Sequence, residues 1–177
     1  MKKFIAPTKA EVSETNQQIF DNLEKNLGMV PNLYAFFGKN ETALADYLAL
    51  QSRKNTLTGK EREVINLVVS QVNNCKYCLA AHTVVGKMNG FTDVQVLEIR
   101  KAAVTFDAKL AALATFVKET TATHGEPSQE AVVALFNAGY TEANLIDIVI
   151  VIGDKTISNY LHKITQLPID FPVAPEL

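Results

Sequence analysis

Two cysteines make up the whole thiol content of this 177-residue chain. They sit three positions apart, as Cys75 and Cys78, with His82 four residues further on. On one helix turning about 100° per residue, all three share a face. The two Cα atoms then lie roughly 5 Å apart, inside the span of a disulfide. A bridge this short closes too small a loop to stabilise much, so the pairing points to reversible dithiol chemistry. Asn73 and Asn74 are the N-cap candidates, which would put the cysteines in a first helical turn. There the unpaired N–H groups and the helix dipole favour thiolate over thiol. One turn after Cys78, His82 is placed to exchange a proton with it. Two other readings stay open. Buried cysteines also serve as small hydrophobes, and C-x-x-C-x-x-x-H offers three zinc-competent ligands without a fourth. The remaining histidines are His124, beside an expected helix end, and His162, near the end of the last helix.

The preceding segment must position these groups. Ile65, Val68, Val69 and Val72 form its apolar face, and Glu63, Asn66, Ser70 and Asn74 fall within about 80° of one another opposite. That second stripe is either a solvated face or a polar wall turned toward the cysteine helix, with Glu63 as a base. Gly28, Gly90, Gly125 and Gly139 each follow an apolar-periodic stretch, and each precedes a proline or threonine by two or three residues. This is the pattern of a helix ending in glycine before a new start. Thr58-x-x-Glu61 and Thr92-x-x-Gln95 read as capping boxes. Helices are expected at 13–27, 32–39, 41–55, 59–73, 75–89, 92–102, 107–123, 128–138 and 141–165. Ile146–Ile152 is strand-like by propensity, but no partner strand occurs, so it is read as helix at a bundle centre or oligomer interface. The expectation is a single all-α, multi-helix domain over 1–177. Residues 1–12 and 167–177 would be extended arms, the latter packing on the surface or on a neighbouring subunit.

Composition narrows the function classes. The chain is 47% hydrophobic, and 17 Lys and Arg nearly balance 19 Asp and Glu. Such balance gives nucleic acid or an anionic membrane no handle. No apolar run approaches the ~20 residues of a membrane span. The opening Met1–Pro7 lacks the ~7–15 apolar residues of a secretory signal, so a cytoplasmic location is expected.

Glu63, eleven residues, then Cys75-x-x-Cys78-x-x-x-His82 at a helix–helix junction resembles the AhpD-like alkylhydroperoxidase branch of the carboxymuconolactone decarboxylase family. The motif core covers 58–100. Gly28-Met-Val-Pro31-Asn32 and Ile169-Asp-Phe-Pro172 resemble the longer, peroxidase-related members. The resemblance implies a helical protein assembled as a trimer or hexamer. It also implies a peroxidase needing no haem, flavin or metal, whose substrate is hydrogen peroxide or an organic hydroperoxide. Carried over, Cys78 would be the peroxidatic thiolate and Cys75 the resolving thiol, with His82 and Glu63 as proton relay. A thioredoxin-like or lipoyl dithiol protein would be the reductant. Helix-terminus electrostatics alone would favour Cys75 as the nucleophile. Where studied peroxidases of the family carry histidine before the second cysteine, this chain has Tyr77. The rivals are thiol–disulfide exchange with a protein partner and a non-catalytic oligomeric or metal-binding module. Tyr34, Phe36 and Phe37 read as core or as the wall of an apolar pocket. Asp154, Ser158 and His162 would line the site or an interface, or simply pack.

Overall fold

A computed structural model describes residues 3–177. Every regular element among them is helical. The helices are α1 (Glu14–Leu27), α2 (Asn32–Phe37), α3 (Ala43–Ser52), α4 (Gly59–Val72), α5 (Lys76–Met88), α6 (Asp93–Lys101), α7 (Ala108–Ala122), α8 (Gln129–Asn137) and α9 (Glu142–Thr165). A short 3-10 turn, Lys9–Glu11, interrupts the arm expected to be extended. There Thr8 and Glu11 cap each other reciprocally, which is enough to wind one turn. The capping boxes at Thr58/Glu61 and Thr92/Gln95 form as expected. All four punctuating glycines take positive φ, from 74° at Gly28 to 110° at Gly125, a region where a Cβ is penalised.

The chain divides into two compact units. The first holds the residues up to Lys54 together with Leu161–Asp170. Its core is Val12, Phe20, Ala35 and Leu44, with Tyr34 and Phe37 packed against it. Phe37 stacks on Tyr47 at 4.4 Å, and Phe36 meets Phe4 edge-on at 5.8 Å. The aromatic trio is therefore packing. Asn32 explains the extended segment after α9, because its backbone N–H donates to Asp170 and its side chain to the Pro168 carbonyl.

The second unit, Asn55–Tyr160 with Phe171–Leu177, is built around α4. Every residue from Glu63 to Ser70 is buried, polar ones included. Val64, Ile65, Leu67, Val68 and Val69 face a common core with Ile99, Leu113, Val117, Leu135 and Ile148. Helices α5, α6 and α7 pack directly on α4. The 146–152 segment is helical despite its β-branched residues. At helical spacing Ile148 and Val151 reach the core, a burial that outweighs propensity. Its other face stays open, with Ile146 61% and Val149 51% exposed.

The central position of α4 sets two stability expectations. Leu67→Ala, at a fully buried site, loses about 2–5 kcal/mol, whereas Thr58→Ala, which removes a cap, loses about 1 kcal/mol. Urea unfolding of both variants checks the order, and a Leu67→Ala loss no larger than that of Thr58→Ala would contradict it.

Candidate active site

The site begins where α4 reverses into α5. Asn73 closes α4 and Asn74 adopts φ 51°, a left-handed geometry that asparagine tolerates better than most residues. That single residue turns the chain, and Cys75 itself becomes the N-cap of α5. The asparagines expected to cap are thus the hinge. Cys75 Sγ accepts the Cys78 backbone N–H at 3.3 Å, the role usually filled by a serine or aspartate oxygen. The two cysteines are joined as a disulfide, with Cα atoms 5.4 Å apart, the i,i+3 spacing read from the sequence.

His82 lies two turns along α5, and its Nδ1 sits 2.8 Å from Glu63 Oε2 on α4. The other carboxylate oxygen, Oε1, accepts from Asn66 Nδ2 at 2.8 Å. Glu63 is only 6% exposed, so the stripe opposite the apolar face is a buried wall and not a solvated surface. Asn74 alone of its four members is exposed. Cys75 is fully buried and Cys78 is 3% exposed. The His82 side chain keeps 16% of its surface. Tyr77, in the position next to Cys78, packs edge-on against Phe171 at 5.6 Å.

Alongside α4 runs α9, in the same direction and tied to it at both ends. The Thr56 N–H and hydroxyl donate to Asp147 at 2.7 Å, and Asn144 donates to Thr56. Further on, Asn159 donates to Ser70 at 3.3 Å and accepts from Asn73 at 3.0 Å. Between these ties lies Lys155, 3% exposed and within electrostatic reach of Glu63, His82, Asp154 and Arg62. Sequence reasoning named Asp154 and Ser158 on this helix, and both are buried, but passed over Lys155. The signal was there: Lys155 falls on the same stripe as Ile148 and Val151, where a lysine is out of place unless paired. His162 belongs to the other unit, where its Nε2 meets the Leu167 carbonyl at 3.0 Å. His124 takes positive φ in the turn after α7.

Burial works to raise the Glu63 carboxyl, but the charge and hydrogen bond of His82, the Asn66 amide and the Lys155 charge outweigh it. Glu63 is held below the usual carboxylate range. His82 is pushed down first by burial and then by Lys155, against the pull of Glu63. At neutral pH the pair is carboxylate and neutral imidazole. Nδ1 then carries the proton donated to Glu63, and Nε2 is left with its lone pair. An imidazole held this way can accept a proton. Among the described residues no three of His, Cys, Asp and Glu gather as a metal-binding group.

Comparison with known proteins agrees with this architecture. Residues 39–119 match the carboxymuconolactone decarboxylase family. An uncharacterized peroxidase-related protein from Silicibacter sp. TM1040 superposes with a TM-score of 0.82 at 23% identity, over 95% of this chain and 94% of its own. The alkylhydroperoxidase AhpD core of a peroxidase-related protein from Ralstonia eutropha JMP134 gives 0.83 at 20% identity, over 95% and 92%. The debrominase Bmp8 gives 0.78 at 17% identity, over 94% and 91%. No curated protein matches the sequence. This chain has the fold of these proteins over nearly its whole length, and the stretch 39–119 within it matches the carboxymuconolactone decarboxylase family. No helix among the described residues is long and apolar enough to cross a membrane.

The charge states fix a pH dependence. Folded His82 takes up its proton below the ordinary 6.5, so the unfolded chain protonates first as pH falls. Stability is lost from about that pH downward. Glu63, depressed in the fold, adds a further loss as its own proton arrives below the usual 4.5. Urea midpoints at pH 7 and pH 5 should fall more for the wild type than for His82→Asn. Equal falls would show that His82 is not titrating as described.

Proposed function

We propose that this protein is a thiol peroxidase that reduces hydrogen peroxide or small organic hydroperoxides through Cys75 and Cys78, with His82 and Glu63 moving the protons. The observation that carries the reading is the buried Glu63–His82 contact of 2.8 Å, one helical turn from a cysteine pair already in bonding geometry. Nothing about a purely structural bridge calls for an oriented imidazole and an ionised carboxylate beside it.

In the reduced protein, neutral His82 accepts the Cys78 thiol proton through Nε2, while Glu63 stabilises the imidazolium through Nδ1–H. The Cys78 thiolate attacks the terminal peroxide oxygen, and the O–O bond breaks. Cys78 becomes a sulfenic acid, and the departing alkoxide leaves as an alcohol with the proton from His82. The Cys75 thiol then displaces the sulfenic hydroxyl, and the disulfide forms with release of water. Two thiols are oxidised for each peroxide reduced. An external protein dithiol, of thioredoxin-like or lipoyl type, restores both thiols by exchange and is itself oxidised. Cys78 is assigned the first attack because His82 follows it by one turn. Cys75 Sγ faces the helix N-terminus and suits a resolving thiol whose proton is easily lost. Tyr77 contributes packing at a position from which other relays take a histidine, so the proton path here runs through His82 alone. The burial of both sulfurs favours small oxidants over bulky ones.

We also place the protein in the cytoplasm as a homo-oligomer. Ile146, Val149, Ile157 and Tyr160 lie exposed along α9 at the spacing of a helix seam.

Peroxide titration with thiol counting tests the chemistry. The wild type loses two thiols per chain for one equivalent of peroxide. Cys75→Ser retains a trappable sulfenate on Cys78, and His82→Asn slows oxidation about a hundredfold. Mixed disulfides with no sulfenate in any variant would instead favour a thiol-exchange protein. Sedimentation tests the assembly, with Val149→Glu expected to shift it toward the ~20 kDa chain, and a wild type that is already monomeric would exclude it.

A further inference from the structure

Lys155 is a buried charged group beside the relay that the chemistry above leaves without a task. A lysine at 3% exposure is costly unless its charge is answered. Its surroundings are mixed. On α4 stand Glu63 and Arg62, on α5 His82, and on α9 its neighbour Asp154. Its place is also held rigidly. One turn on, Asn159 is bonded to Ser70 and Asn73 of α4. Earlier on α9, Asp147 and Asn144 are bonded to Thr56. These ties hold α9 against α4 on either side of Lys155, whose 3% exposure leaves it little access to solvent.

Resting on the relay reading above, we propose that Lys155 is a positioning residue: its buried ammonium is the countercharge that lets Glu63 stay ionised while His82 stays a neutral base. A buried carboxylate next to a buried imidazole has two electrostatic outcomes. The imidazole can take a proton and become the partner cation, or another cation can fill that role. Only the second leaves Nε2 with a lone pair for the Cys78 proton. Lys155 does both halves of the work, attracting the carboxylate and repelling the imidazolium. Burial and Asp154 act on the same groups. On Lys155 burial is the strongest influence and holds it below the ordinary lysine range, with Asp154 and Glu63 favouring its charge and Arg62 opposing it. Asp154 also pulls His82 toward its charged form. With the lysine removed, burial alone opposes protonation of His82, while Glu63 and Asp154 both favour it. The same cation becomes most useful in reverse once His82 has accepted its proton, because its repulsion drives that proton on to the departing alkoxide. Asn66 fits the arrangement. Its Nδ2 is committed to Glu63, fixing the carboxylate from the side away from His82.

The test reads His82 directly and needs no turnover. The chain has three histidines, so the His82 ring signal in an NMR pH titration is assigned by its absence in His82→Gln. In the wild-type protein His82 should titrate below the ordinary histidine value. In Lys155→Met, which keeps the aliphatic stem, its midpoint should rise by about one pH unit or more, and Lys155→Arg should restore it. A wild-type His82 that titrates above the ordinary value overturns the proposal by itself, even should Lys155→Met fail to fold. So does a folded Lys155→Met with an unmoved midpoint. Loss of peroxide-driven disulfide formation is a separate result. A wild type that shows the His82 titration but does not consume peroxide would sink the peroxidase and leave the lysine's role intact.

Discussion

An ionised carboxylate inside the most deeply packed helix is the constraint from which the rest of this structure follows. Glu63 cannot sit among Val64, Ile65 and Leu67 as a bare anion, since an unpaired buried charge costs several kcal/mol or more. It needs a donor on each oxygen and a positive charge nearby. His82 supplies one donor from α5, Asn66 another from the same helix, and Lys155 the charge from α9. Three helices are thereby brought to a common register. The candidate site occupies their junction because that is where the polar groups had to be satisfied.

This explains why α4 is double-natured. One stripe carries aliphatic side chains into the core of the second unit, and the other carries Glu63, Asn66 and Ser70 into a hydrogen-bonded wall. Neither stripe is free to face water. The α4–α5 reversal depends on the same economy of space. Asn74 turns the chain in one residue, and Cys75 caps α5 with sulfur, so no extra loop separates α4 from the cysteine pair.

Much of this was readable from the residues. Helix positions followed from glycine and threonine punctuation, because a positive φ and a reciprocal cap are local demands that leave local marks. Glu63, Cys75, Cys78 and His82 were likewise visible, since helical spacing alone puts the last three on one face. Three features were not legible. The N-cap went to Cys75 and not to an asparagine, because cysteine rarely fills that role and propensity points elsewhere. The polar stripe of α4 was equally consistent with solvent, because periodicity reports that a face differs and not what covers it. Lys155 escaped notice because Glu63 and His82 lie more than seventy residues away in sequence, and only tertiary packing joins them to it.

From Glu63 to Ser70 the helix that bears the carboxylate has no surface left to alter. A substitution anywhere from Glu63 to Ser70 disturbs either the hydrocarbon interior or the hydrogen-bonded wall. Diversity in what this scaffold accepts must therefore arise on its neighbours, where α5 and α9 still have sides that are unclaimed. For anyone retooling the protein, α4 is the fixed chassis, and the helices flanking it are the parts that can be exchanged.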